Sequence, residues 1–179
     1  MRMIKKSVAV GVSALTAVLL GLSSASAQAA APSESTRAPR VAAGADTETR
    51  QWVEDNAAML RAAANPCGGP YQTIAYVDGR LPGDGGNDDG SMVAYAGGTG
   101  YLCVVFYNET PGGANEMYFN VCPGKTSGPG CGTDDGKFGS HAGPITISDT
   151  GCFTAAYKMR NEKDTVWLIN GKRSYGARC

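Results

Sequence analysis

Ser91-Met92-Val93-Ala94-Tyr95-Ala96-Gly97-Gly98-Thr99-Gly100-Tyr101-Leu102-Cys103-Val104-Val105-Phe106-Tyr107 is the stretch that decides the fold class. Two runs rich in β-branched and aromatic residues, Ser91 to Ala96 and Tyr101 to Tyr107, flank a Gly-Gly-Thr-Gly connector. Each run has the length of a strand and is short for a helix. Glycine in the connector tolerates the positive φ that tight hairpin turns demand. The segment reads as a β-hairpin.

Outward from this hairpin the pattern recurs. Tyr71 to Val77, Glu116 to Cys122, Pro144 to Ser148, Cys152 to Lys158, Thr165 to Asn170 and Lys172 to Ala177 are further strand-like runs with Gly-rich connections. Asn170-Gly171 reads as the turn of the last hairpin, since both residues accept the backbone of a type I′ turn. Pro66 to Cys179 holds 22 of the 25 glycines and 13 of the 14 aromatic residues. Residues 66–179 are therefore expected to form an all-β domain, a small disulfide-stapled antiparallel sandwich or barrel.

Upstream, Met1-Arg2-Met3-Ile4-Lys5-Lys6 is basic, Val8 to Leu22 is apolar, and Ser26-Ala27-Gln28-Ala29-Ala30-Ala31 is a box of mostly small residues. This is the order of a secretory signal peptide cut after Ala27 or Ala29, and residues 1–29 are assigned to it. The apolar run is short for the ~20 residues that span a bilayer, so no membrane partner is expected after cleavage. Residues 30–45, rich in Ala, Pro, Ser and Arg, have little to bury and read as a flexible linker. Residues 46–65 read as one amphipathic helix that Asp46 or Thr47 can cap and Asn65-Pro66 stops. Trp52, Asn56, Met59, Leu60 and Ala63 share a face, with Asn56 out of pattern, and the helix is expected to dock through Trp52.

The chain has 16 basic and 16 acidic residues; loss of Arg2, Lys5 and Lys6 with the signal leaves 13 against 16, a net charge of −3. No basic stripe remains to neutralise phosphates, which argues against nucleic acid as a partner.

Six cysteines stand at positions 67, 103, 122, 131, 152 and 179. An even number in an exported chain reads as a disulfide framework rather than as nucleophiles or metal ligands. The expected pairs are Cys67–Cys103, Cys122–Cys131 and Cys152–Cys179. Pro123-Gly124 and Gly128-Pro129-Gly130 favour the middle one, because they fill its ring with turn formers.

Few residues suggest chemistry. His141 is the single histidine. As a base it would need Ser140 as nucleophile and Asp134 or Asp135 to orient its ring, and no Gly-x-Ser-x-Gly elbow accompanies it. It reads as a strand-end residue before Gly143-Pro144. Asp84-Gly85-Gly86-Asn87-Asp88-Asp89-Gly90 gathers oxygen ligands suited to calcium, yet EF-hand spacing puts Gly85 at the first ligand position and Ala96 at the bidentate one. Asp134-Asp135-Gly136 reads as a second acidic turn. Glu109 and Glu116 form the carboxylate pair that glycoside hydrolysis needs, but they bracket a turn and read as a solvated hairpin mouth. Asn108-Glu109-Thr110 matches a glycosylation sequon followed by Pro111. Tyr71, Tyr76, Tyr95, Tyr101, Tyr107, Tyr118 and Tyr175 lie in or beside expected strands. Half should face inwards, and an outward stripe would suit sugars or a protein surface. No catalytic, cofactor-binding or metal-binding residue is assigned.

Several of these segments together resemble the actinomycete spore-associated protein A family. The resemblance lies in Asn65-Pro66-Cys67-Gly68-Gly69-Pro70-Tyr71, in Ser91 to Tyr95 with the Gly-Thr-Gly turn and Tyr101 to Val105, in Asp135-Gly136-Lys137-Phe138 followed by Ala142-Gly143-Pro144-Ile145, and in the terminal cysteine. It covers most of residues 65 to 179. The resemblance implies a small exported β protein found with aerial hyphae or spores, with no catalytic residues to carry over. Cys122 and Cys131 look like an added pair, His141 replaces an expected aromatic residue, and the Asp84–Gly90 loop looks longer than the family's. The expected function is that of a secreted, non-enzymatic protein of the spore or cell surface, with cell-wall or spore-surface components as partners. A secreted carbohydrate- or protein-binding module or inhibitor, and a small secreted hydrolase, are the alternatives.

Overall fold

The computed structural model describes residues 40–62, 65–79, 81–83, 89–98, 100–125, 127–161, 163 and 167–179. The expected signal peptide and most of the expected linker lie outside the described residues.

The central hairpin forms as expected. β3 (Gly90–Gly97) and β4 (Tyr101–Asn108) pair antiparallel from Gly90↔Asn108 to Gly97↔Tyr101. Gly100, with φ 76°, supplies the left-handed residue of the turn. Gly90 to Tyr95 and Leu102 to Tyr107 are buried without interruption. Both faces of this hairpin are covered, which is why it reads as continuous apolar runs rather than as alternation.

Two sheets surround it. β2 (Thr73–Asp78) pairs with β3, and β7 (His141–Ser148) pairs with β4, both antiparallel. β1 (Arg40–Val41) adds to β2 in parallel, giving the order β1-β2-β3-β4-β7. The second sheet runs β6 (Gly132–Phe138), β5 (Asn115–Pro123), β8 (Phe153–Arg160), β9 (Ile169–Tyr175), all antiparallel. Met92, Val104 and Phe106 of the first sheet share one buried cluster with Phe119, Tyr157 and Met159 of the second. The Phe106 ring lies 5.8 Å from Phe119 and 5.9 Å from Tyr157. The described chain is thus mostly β, in two sheets with a shared core.

The other face of β3 and β4 has its own cover. Val93, Tyr95, Val105 and Tyr107 cluster with Leu60, Ile74 and Val77, and Trp52, Val53, Cys67 and Tyr71 pack against them. Asp46 caps α1 (Thr47–Asp55) by accepting from the Thr49 N–H at 2.7 Å. Thr49 is fully buried, and its hydroxyl accepts from the Val77 N–H at 3.1 Å.

Four expectations are corrected. The helix is not continuous over 46–65: α1 ends at Asp55 and α2 (Ala57–Ala62) begins after Asn56. The Asn56 amide donates to the Trp52 carbonyl at 2.9 Å and closes the first helix locally. The linker does not extend to residue 45. Arg40 donates to the Gln72 carbonyl at 2.7 Å and Ala42 to the Ile74 carbonyl at 2.8 Å, because the open edge of β2 offers backbone partners. Asn170-Gly171 is not a turn but lies inside β9, opposite Lys158 and Tyr157. A Cβ at Gly171 would stand 2.6 Å from Pro82 and 2.8 Å from the Tyr157 ring, so the glycine serves a close approach. Asp134-Asp135-Gly136 is likewise part of a strand, β6, paired with Met117 to Phe119. In addition, β7 begins at His141 rather than Pro144, and the last strand begins at Ile169.

The disulfides are Cys67–Cys103, Cys122–Cys131 and Cys152–Cys179, and no cysteine is free. They tie the segment before β2 to β4, close the β5–β6 connection and clasp β8 and β9 at the end where Phe153 faces Tyr175. A polar bridge also joins the sheets. Asp78 at the end of β2, 3% exposed, accepts from Arg173 at 2.8 Å and from the Tyr175 hydroxyl at 2.7 Å, both on β9.

Candidate functional site

Ser140, His141 and Asp134 meet where β6 turns into β7. The Ser140 hydroxyl lies 3.0 Å from His141 Nδ1. Burial lowers the His141 pKa, and the Asp134 charge opposes the shift. Asp134 Oδ2 accepts from the Gly143 N–H at 2.7 Å. A serine relay needs the hydroxyl on one imidazole nitrogen and the carboxylate on the other. Here the serine takes Nδ1, the usual carboxylate position, and Asp134 anchors backbone. Asp135 stands opposite Tyr118 on the other face of the sheet.

The two glutamates serve separate partners. Glu109 accepts from the Ser91 hydroxyl, and Glu116 forms an ion pair with Arg160. Asn108 of the sequon is a clip for the β4–β5 connection. Its amide donates to the carbonyls of Gly113 at 3.1 Å and Phe138 at 3.0 Å, and its oxygen accepts from Thr110 and Asn115. Residues 84–88 of the acidic loop lie outside the described residues, and among the described residues no three metal-ligating side chains cluster.

The tyrosines divide by sheet face. Tyr95 and Tyr107 are buried, with hydroxyls 2.9 Å apart, and burial raises both pKa values. Tyr71, Tyr76 and Tyr175 are half-buried. Only Tyr101 and Tyr118 of the seven are exposed, at 45% and 36%, and they lie on different sheets. They form no single stripe.

The second sheet has the alternation expected of a sheet with one solvated face. In β5, Met117, Phe119 and Val121 are buried, while Glu116, Tyr118 and Asn120 lie on the other face. Cross-strand register extends that face: Tyr118 stands between Asp135 and Lys158, and Glu116 between Lys137 and Arg160. Trp167, beyond β8, lies over this surface. Its ring centre is 5.6 Å from Lys158 Nζ and 5.0 Å from the Arg160 guanidinium, a cation–π arrangement. A groove of about 290 Å³ results, with Tyr118, Trp167, Glu116, Asp135, Gly136 and Lys137 among its walls. Tyr118 belongs to the tyrosines singled out in the sequence. Trp167 does not, because its place against Lys158 and Arg160 is set by tertiary packing, for which its neighbours in sequence carry no signal.

No family model matches this chain, and neither a curated protein nor a solved structure does so. The resemblance to the spore-associated family rests on the quoted residues alone.

Proposed function

We propose that this chain is a secreted, non-enzymatic protein of the spore or cell surface of an actinomycete, built as a disulfide-stapled antiparallel β-sandwich with an amphipathic N-terminal helix. The observation that carries the reading is the commitment of all six cysteines to disulfides, a state that persists in oxidising compartments. The signal-peptide order of residues 1–29 and the family resemblance agree with it. The non-enzymatic part is supported by the structural bonds of Asp134, Glu109 and Glu116. Culture fractionation tests the location. Mature protein is expected in the spore or cell-wall fraction; protein free in the medium defeats the surface assignment, and full-length protein held in the cytoplasm defeats export. A panel of esterase, peptidase and glycosidase substrates tests the rest. Turnover by wild type that vanishes in folded His141→Ala would defeat the non-enzymatic reading.

A further inference from the structure

We propose that the open face of the second sheet binds a neutral glycan, with one pyranose ring seated between Tyr118 and Trp167. The inference rests on the surface-protein reading and names the chemistry of its partner. A pyranose has two properties that a site must match. One ring face is a patch of C–H groups that stacks on an aromatic ring, and its hydroxyls both donate and accept hydrogen bonds. Tyr118 and Trp167 supply aromatic surface at the two sides of the groove. Lys158 and Arg160 lie against the Trp167 ring and hold it over the sheet.

The polar walls decide what sort of ligand fits. Glu116 and Asp135 offer carboxylate acceptors, while Lys137 in the wall and Arg160 beside it offer donors. Glu116 and Arg160 neutralise one another as an ion pair, Asp135 and Lys137 bring opposite signs to the walls, and Lys158 lies against the Trp167 ring. An anion would meet the carboxylates of Glu116 and Asp135, and a cation the basic groups of Lys137, Lys158 and Arg160. A neutral polyol pairs with both signs. The size agrees: about 290 Å³ lies at the lower end of small-molecule sites, roughly 300 Å³ and upwards, which suits a single ring. The groove lies on a sheet surface, so a ring inside a longer chain can enter it from the side.

The test is affinity electrophoresis of the purified mature protein in gels containing hydroxyethylcellulose, glycol chitin or yeast mannan, with polygalacturonate as the anionic comparison. Retardation by at least one neutral polymer is expected, insensitive to added salt. Tyr118→Ala and Trp167→Ala should each weaken it by about tenfold. Tyr101→Ala, on the other sheet, should leave it unchanged. Circular dichroism checks that each variant is folded. If Trp167→Ala disturbs the fold, Tyr118→Ala decides, since that ring is already partly in solvent. Retardation by no neutral polymer, by polygalacturonate alone, or equally in wild type and Tyr118→Ala would overturn the proposal. Fractionation stays independent: failed retardation with wild type still in the spore or cell-wall fraction defeats the glycan site and leaves the surface reading standing, whereas wild type free in the medium defeats the surface reading.

Discussion

Asp78 is a carboxylate taken out of water, with Arg173 and Tyr175 in place of its hydration. Arg173 is itself half exposed, so the pair contributes less than a fully buried one. Asp78→Ala is expected to cost about 2–3 kcal/mol and Tyr175→Phe about 1 kcal/mol, read from urea unfolding midpoints at unchanged slope. His141 makes a pH-dependent contribution. Burial holds its pKa below the ordinary value, against the pull of Asp134, so the unfolded chain takes up the proton first as pH falls. Its contribution is complete above the ordinary imidazole value of about 6.5 and is lost as pH falls through that value towards the lower folded one. Below about pH 6.5 the thermal midpoint of wild type should therefore fall more steeply than that of His141→Gln. An equal or shallower fall would show that Asp134 outweighs burial.

At the scale of elements, legibility followed the range of the forces involved. The β3–β4 hairpin could be read because its runs are apolar on both faces and its turn is local. The Asn56 break was signalled by one polar residue on an apolar helix face. Gly171 was misread because its nearest constraint, Pro82, is distant in sequence. Gly171→Ala is expected to cost about 1–3 kcal/mol through overpacking against Pro82 and Tyr157, measured by thermal unfolding; a neutral effect would show that the Pro82 segment yields freely. β6 was missed because Asp, Gly and Lys have turn-like propensities, and only pairing with β5 makes them a strand. The candidate groove was half legible on the same terms. Tyr118 sits in an alternating run, whereas Trp167 reaches the site only by packing against Lys158 and Arg160.

For the whole molecule, the disulfides supply much of the margin between folded and unfolded. Sequence separations of 36, 9 and 27 correspond to loop-entropy contributions of about 3.8, 2.7 and 3.6 kcal/mol. Paired Cys→Ser replacement of Cys122 and Cys131 should therefore be the mildest of the three, with denaturant midpoints giving the order. The intact mass of the oxidised protein should lie six hydrogens below that of the reduced one. The cover over β2 has a different consequence. Arg40 and Ala42 occupy carbonyls at its edge, and the Thr49 hydroxyl occupies an N–H. A chain beginning at Asp46 keeps α1, the core and the disulfides, yet bares the carbonyls of Gln72 and Ile74. Two such molecules can join β2 to β2 about a two-fold axis and merge their sheets. This trimming should therefore be visible on gel filtration as dimers with an unchanged circular dichroism spectrum. A strictly monomeric product would mean that two residues of parallel strand are not what keeps neighbouring copies apart.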